Sequence, residues 1–216
     1  MSALASTRRV RFRMKGWCSP LDSGCDDRLK EMLPVYSQIT LETPRLILRE
    51  FTAGDAEAIQ VYASDPEVTR FTSWGPNTPE ITASVLAGWL KDQVHTPRTE
   101  FNLAIVRRED GATIGGAGFG LTDWSVGTAN FGYVLRRSAW GCGYATEAAR
   151  AVRDWALIDL GLHRLIAHCE PENIGSLRVL RKSGFLQDAP VSLPRVSGEI
   201  RSYLTFVAVN PKGLDL

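Results

Sequence analysis

Hydrophobic and polar positions recur with readable periods along most of this chain from Ile39 onward. Residues 45–51 set Leu46, Ile47, Leu48 and Phe51 among charged neighbours and predict a first strand. Thr52-Ala53-Gly54-Asp55 then places an acid three residues after a capping hydroxyl, and Ala56, Ile59 and Tyr62 follow on one helical face until Asp65-Pro66 stops the helix. Thr78-Pro79-Glu80 predicts a second helix start, with Ile81, Val85 and Trp89 as its buried stripe. Residues 101–106 and 113–119 read as strands joined by the Glu109-Asp110-Gly111 turn, and residues 130–135 as a third. A long helix is expected over 143–160, with Ala145, Ala148, Val152 and Trp155 on one face. A strand over 164–169, a short helix over 173–183 closed by Gly184, and a strand over 203–209 complete the pattern. This order predicts a mixed α/β or α+β fold: antiparallel strands early, one β-loop-α-β unit late, and helices on both faces of a sheet. Residues 1–38 show no sustained period and read as a tail, or as translation from an upstream start with Met14 or Met32 as alternatives, so the domain is expected over 39–216.

Composition bounds the chemistry. With 44% hydrophobic and 23% charged residues in 216, the chain can bury one substantial core. Arg8, Arg9, Arg11, Arg13 and Lys15 leave 20 basic against 24 acidic residues for the rest of the chain. A mildly acidic body argues against nucleic-acid binding. Neither a membrane-spanning stretch nor a secretory h-region is expected, and the four cysteines form no C-x-x-C pair. The three histidines do not stand at zinc-ligand spacing, so no metal is expected, and a reducing, cytoplasmic setting is the default.

The turn Trp140-Gly141-Cys142-Gly143-Tyr144-Ala145-Thr146 joins a strand to the long helix, with small residues at 141, 143 and 145. Such a turn points several backbone N–H groups into one concavity at the positive end of a helix, where a pyrophosphate fits. It lacks the G-K-[ST] of a Walker loop and the third glycine of G-x-G-x-x-G, so a plain tight connection explains it equally well when it is taken alone.

Its continuation, Trp-Gly-Cys-Gly-Tyr-Ala-Thr-Glu-Ala-Ala over 140–149, resembles the acetyl-CoA pyrophosphate loop of the GNAT superfamily of N-acetyltransferases, in the form found in the RimJ/RimL type. Residues 41–49 (LETPRLILR), 131–135 (FGYVL) and 171–185 (PENIGSLRVLRKSGF) resemble further segments of that type, in order. The resemblance covers roughly 40–209. It implies a GNAT fold: a twisted, mostly antiparallel mixed sheet with a central splayed V and helices on both faces. Acetyl-CoA would enter the V between strands 130–135 and 164–169. Main-chain groups of Val134 and Leu135 would pair with the pantetheine arm, and N–H groups of Cys142, Gly143, Tyr144 and Ala145, with the Thr146 hydroxyl, would hold the pyrophosphate. Asn173 would contact the cofactor arm or order the acceptor site, and Ser176 would protonate the leaving thiolate. The alternatives for these two are a helix N-cap and a small residue at a close packing contact.

Three positions depart from the family pattern. Leu180 stands where many members carry a tyrosine acid, Cys142 where relatives often carry a cation or Gln, and Asn130 where the type often shows Glu. No residue declares itself the general base. Glu170 is a candidate, and a water chain would also suffice. Trp74 and Trp124 would line an acceptor pocket or pack in the core, and His168 and Cys169 read as strand packing. The acceptor is a protein N-terminus or a small amine, such as an amino acid, polyamine or antibiotic, to be chosen by the loops near 70–80, 120–128 and 186–200. A non-catalytic acyl-CoA-binding module is the competing class, and a homodimer is left open.

Overall fold

The computed structural model describes residues 10–14, 36–123, 126–194 and 199–211. Among the described residues nine strands form one sheet: β1 (Val10–Met14), β2 (Tyr36–Glu42), β3 (Leu46–Glu50), β4 (Glu100–Arg107), β5 (Thr113–Asp123), β6 (Thr128–Leu135), β7 (Arg164–Cys169), β8 (Leu186–Pro194) and β9 (Ile200–Val209). Their order is β1-β2-β3-β4-β5-β6-β7-β9-β8, and every neighbouring pair is antiparallel except β6 with β7. The helices are α1 (Ala56–Ala63), α2 (Pro66–Thr69), α3 (Pro79–Asp92), α4 (Tyr144–Asp154) and α5 (Ile174–Lys182). α1 and α3 close one face over Phe51, Ala104 and Val106, while α4 and α5 cover the other over Leu103, Phe131 and Leu165. Helices therefore lie on both faces of a mixed, mostly antiparallel sheet, as the periodicity implied.

The single parallel junction positions the site. β6 and β7 pair only at Thr128 with Arg164, Ala129 with Leu165 and Asn130 with Ile166. Beyond that register residues 131–135 and 167–169 run apart, opening a V whose β6 edge keeps β5 as its partner on the far side.

Four expectations need correction. Val10–Met14 is a strand on the outer edge, antiparallel to β2, where a tail was expected. Its alternation of Val, Arg, Phe, Arg and Met was there to be read, but the charge run masked the period. Residues 186–194 form β8, where an acceptor loop was expected. Asp, Pro and Ser suppress the strand signal, and the pairing with β9 supplies what local propensity lacks. The buried positions of α3 are Thr82 and Leu86, with Trp89 half-buried on Phe51, ring centroids 4.7 Å apart. Ile81 and Val85 remain 47% and 36% exposed and line a cavity instead. Finally, the α-helix after the glycine turn ends at Asp154, and residues 155–159 widen into a π turn, in which Leu160 N–H reaches the Trp155 carbonyl at 2.9 Å. Ala148, Val152 and Trp155 are buried as expected.

Candidate functional site

The turn leading into α4 is the tight glycine connection its sequence suggested, and two of its glycines are left-handed. Gly143 is its N-cap at φ 81°, and Gly141 stands at φ 76°. These left-handed conformations are open to glycine and costly for branched side chains. The first helical bond runs from Glu147 N–H to the Gly143 carbonyl at 3.1 Å. The N–H groups of Tyr144, Ala145 and Thr146 lie ahead of it and have no partner within the helix, so they face outward at the positive end of the dipole.

Arg45 braces this turn, a role that sequence reading missed. Its Nε donates to Glu147 Oε2 at 2.7 Å, its Nη1 to the Cys142 carbonyl at 2.9 Å, and its guanidinium lies over the Tyr144 ring at 4.7 Å. The Thr43 hydroxyl and Arg45 N–H also donate to Glu147. Burial would raise the Glu147 pKa, but these donors outweigh it and lower it. A cation therefore stands at the loop although position 142 is Cys.

One cleft of about 770 Å³ runs from this turn into the V, lined by Val134, Leu135, Gly143, Tyr144, Ala145, Thr146, Asn173 and Ser176. Sequence separated these residues by up to 42 positions, and the fold brings them together. Cys142, exposed in the same turn, does not line the cleft. Asn173 caps α5, its Oδ1 accepting from Ser176 N–H at 3.1 Å. Leu180 is buried in the core. A phenol nevertheless reaches the region from β6: Tyr133 Oη donates to Ser176 Oγ at 3.0 Å. Burial raises the Tyr133 pKa, only partly countered by that bond, so the phenol stays protonated. Glu170 is buried and ion-paired, receiving Arg201 Nη1 at 2.8 Å.

On the α1/α3 face a second cavity, of about 730 Å³, meets the cleft at the V. Thr72, Gly132, Tyr133, Val134 and His168 line both. Trp74, Ile81, Val85 and Trp89 wall the cavity, so Trp74 is a lining residue, whereas Trp124 lies outside the described residues. Its floor is unusually bare because glycines repeat along β5 and β6. Asn102 stands opposite Gly118, which stands opposite Gly132, and Glu100 opposite Gly120, which stands opposite Asn130. A Cβ at Gly120 would lie 2.4 Å from Glu100 Oε1, so glycine there lets the carboxylate lie over β5. Burial, and then the charge of Asp92, raise the Glu100 pKa.

The sequence model of the GNAT acetyltransferase domain matches residues 45–186. Among curated relatives, the uncharacterized N-acetyltransferase p20 of Bacillus licheniformis is 35% identical over 154 residues, covering 69% of this chain and 86% of that protein. The uncharacterized N-acetyltransferase YnaD of Bacillus subtilis is 30% identical over 148 residues, 68% and 83% of the two chains. An acetyltransferase of Agrobacterium tumefaciens superposes with a TM-score of 0.63 at 30% identity, covering 78% of this chain and 93% of that one. RimJ of Mycobacterium smegmatis, solved in complex with CoA-disulfide, superposes at 0.68 over 83% and 86%, and at 22% identity shares the fold. On the family match and these relatives, the chain belongs to the GNAT family of N-acetyltransferases.

Proposed function

We propose that this chain transfers an acetyl group from acetyl-CoA to a primary amine by direct attack within a ternary complex. The observation that carries this reading is the parting of β6 from β7 beside the positive-φ glycine turn, with one cleft joining them. Acetyl-CoA fits that cleft as a substrate: the turn is open around Gly141 and Gly143, and the N–H groups of Tyr144, Ala145 and Thr146 have no partner within the helix. In this reading the N–H groups of Gly143, Tyr144 and Ala145, with the Thr146 hydroxyl, hold the pyrophosphate, and Cys142, outside the cleft, drops out of the cradle expected from the resemblance. The free edge of β6 at Val134 and Leu135 receives the pantetheine amides as an added strand would. Asn173 orders Ser176 through the cap bond and offers its amide to the cofactor arm. Ser176 donates a proton to the departing thiolate, and Tyr133 steadies the Ser176 oxygen.

The acceptor enters from the α1/α3 side. A protein N-terminal α-amine is the leading reading: the RimJ-like fold supports it, and an α-amine, with a reference pKa near 8, is partly neutral at physiological pH. A small polycationic amine is the second reading, favoured by the Glu100 carboxylate that lies over the cavity floor with its pKa raised.

Release of CoA thiol from acetyl-CoA decides between them, with one pool of short peptides bearing free Ser, Ala, Thr and Met N-termini and one of polyamines and aminoglycosides. Release with neither pool counts against catalysis and returns weight to a binding-only module. With the active pool, Ser176→Ala is expected to lower kcat about 10- to 30-fold, below the usual range for acid–base groups because a thiolate leaves readily. The Kd for acetyl-CoA should be unchanged. Full turnover in that variant removes Ser176 from the reaction.

A further inference from the structure

We propose that His168 is the group that takes the proton from the attacking amine. The inference rests on the acetyl-transfer reading and deepens it, because the one candidate base the sequence offered, Glu170, is held by Arg201.

His168 stands on β7 just past the last register pair with β6, so it faces the open V. Alternation along β7 sends Ala167 and Cys169 into the α4/α5 core and His168 to the opposite, acceptor face. It is exposed and lines both the cleft and the acceptor cavity. Across the V stands Gly132, above which a Cβ would meet nothing within 4 Å. An amine resting over that bare strip of floor has the thioester on one side and the imidazole on the other. His168 Nδ1 lies 3.4 Å from the Thr205 hydroxyl on β9. With Nδ1–H directed to that oxygen, Nε2 keeps its lone pair for the cavity.

The other carboxylates are less well placed. Glu170 is committed to Arg201. Glu100 belongs to β4, three strands from β7, or on the order of 14 Å across the sheet, and suits binding a cation better than reaching the amine at the V. Other titratable groups around the imidazole are Tyr133 on β6, Tyr203 and Arg201 on the Thr205 face of β9, and Asp188 on β8 opposite Thr205. Cys169 faces the core. The residue is exposed at its outer edge, but partial desolvation of the ring against the sheet lowers the His168 pKa, which favours the neutral form that can accept a proton.

The step balances without another reactant. The amine nitrogen bonds to the thioester carbonyl carbon and its proton passes to Nε2. The tetrahedral intermediate collapses with cleavage of C–S. The sulfur takes the bond pair and then a proton from Ser176, which recovers one from solvent, and the imidazolium releases its proton to solvent.

The test is the pH dependence of kcat in the wild-type enzyme, His168→Gln and His168→Ala, with saturating acetyl-CoA and two acceptors of different amine pKa. One acidic limb should stay in place when the acceptor changes, since a protonated ring cannot accept a proton. His168→Gln should lose that limb and fall about 100-fold in kcat at neutral pH, with unchanged Kd for acetyl-CoA and an unchanged melting temperature. Added imidazole should restore part of the His168→Ala rate, which a structural role would not allow. A limb that persists in His168→Gln, less than a threefold loss, or a loss accounted for by weaker acetyl-CoA binding overturns the assignment. Absence of acetyl transfer by the wild-type enzyme overturns the underlying reading instead.

Discussion

Gly143→Val is expected to remove acetyl-CoA binding, weakening it on the order of 10³-fold, and turnover with it. Gly143 holds φ 81° and ψ 2° at the N-cap of α4, with one Arg45 nitrogen at 3.4 Å from where a Cβ would stand. The space is open, so backbone strain decides the outcome. A β-branched residue in the left-handed region costs roughly 1–3 kcal/mol, and relaxing that strain turns the N–H groups of Gly143 and Tyr144 away from the phosphates. Each charge-assisted hydrogen bond lost adds about 1.5–3 kcal/mol, and about 1.4 kcal/mol is a factor of ten in affinity. Gly143→Ala should strain the turn without the branch and lose about tenfold. Gly88→Ala, on the exposed side of α3 with nothing within 4 Å, should leave affinity unchanged and slightly stabilise the helix. Titration calorimetry with acetyl-CoA on the three variants provides the check. Wild-type affinity in Gly143→Val would dismiss the phosphate cradle.

The second large effect concerns stability. Asp55 is 4% exposed and receives Arg49 Nη1 and Nη2 at 2.8 Å each, Thr52 N–H at 2.8 Å, and the Thr52 and Thr113 hydroxyls at 2.9 and 2.8 Å. It ties the start of α1, which carries Ile59 and Tyr62 into the wall of the cavity on the α1/α3 face, to β3 and β5. Asp55→Ala leaves a guanidinium and several donors without their acceptor, and should cost about 3–5 kcal/mol. At roughly 2–4 °C per kcal/mol for a chain of this size, the melting temperature should fall by roughly 6–20 °C. Burial by itself would raise the carboxyl pKa, but the Arg49 pair and the Thr donors outweigh it and hold it well below the usual carboxylate range. A depressed folded-state value gives stability that is present above the unfolded pKa, about 3.9, and is lost as pH falls below it. The melting difference between wild type and Asp55→Ala should therefore be widest near pH 7 and narrow below about pH 4. Equal differences at pH 7 and pH 3 would contradict this account.

Much of the framework was legible along the chain. The α4 turn, the strand Arg164–Cys169, the Thr78 cap and the Asn173 helix all depend on neighbours within a few residues. Periods of two and 3.6, left-handed glycines and caps are local physics, so local sequence carried them. Three of the four segments resembling a known family, 131–135, 140–149 and 171–185, line one cleft for the same reason: each is a turn or a strand end with its own geometry.

What escaped lies between segments. Ile81 and Val85 have the spacing of a buried stripe, yet α3 packs through Thr82 and Leu86, because the Thr82 hydroxyl finds Gln60 Oε1 and the adjacent space is a cavity. Glu170 loses its candidacy as a base through an arginine 31 residues away, and Tyr133 meets Ser176 across 43 residues. His168 reads as an ordinary strand residue until the register with β6 stops at Asn130 and Ile166 and leaves it facing an opening. No period records where two strands part. That point is set by which long-range pairings the sheet and its helices can satisfy together, and at that point the residues proposed for the chemistry converge.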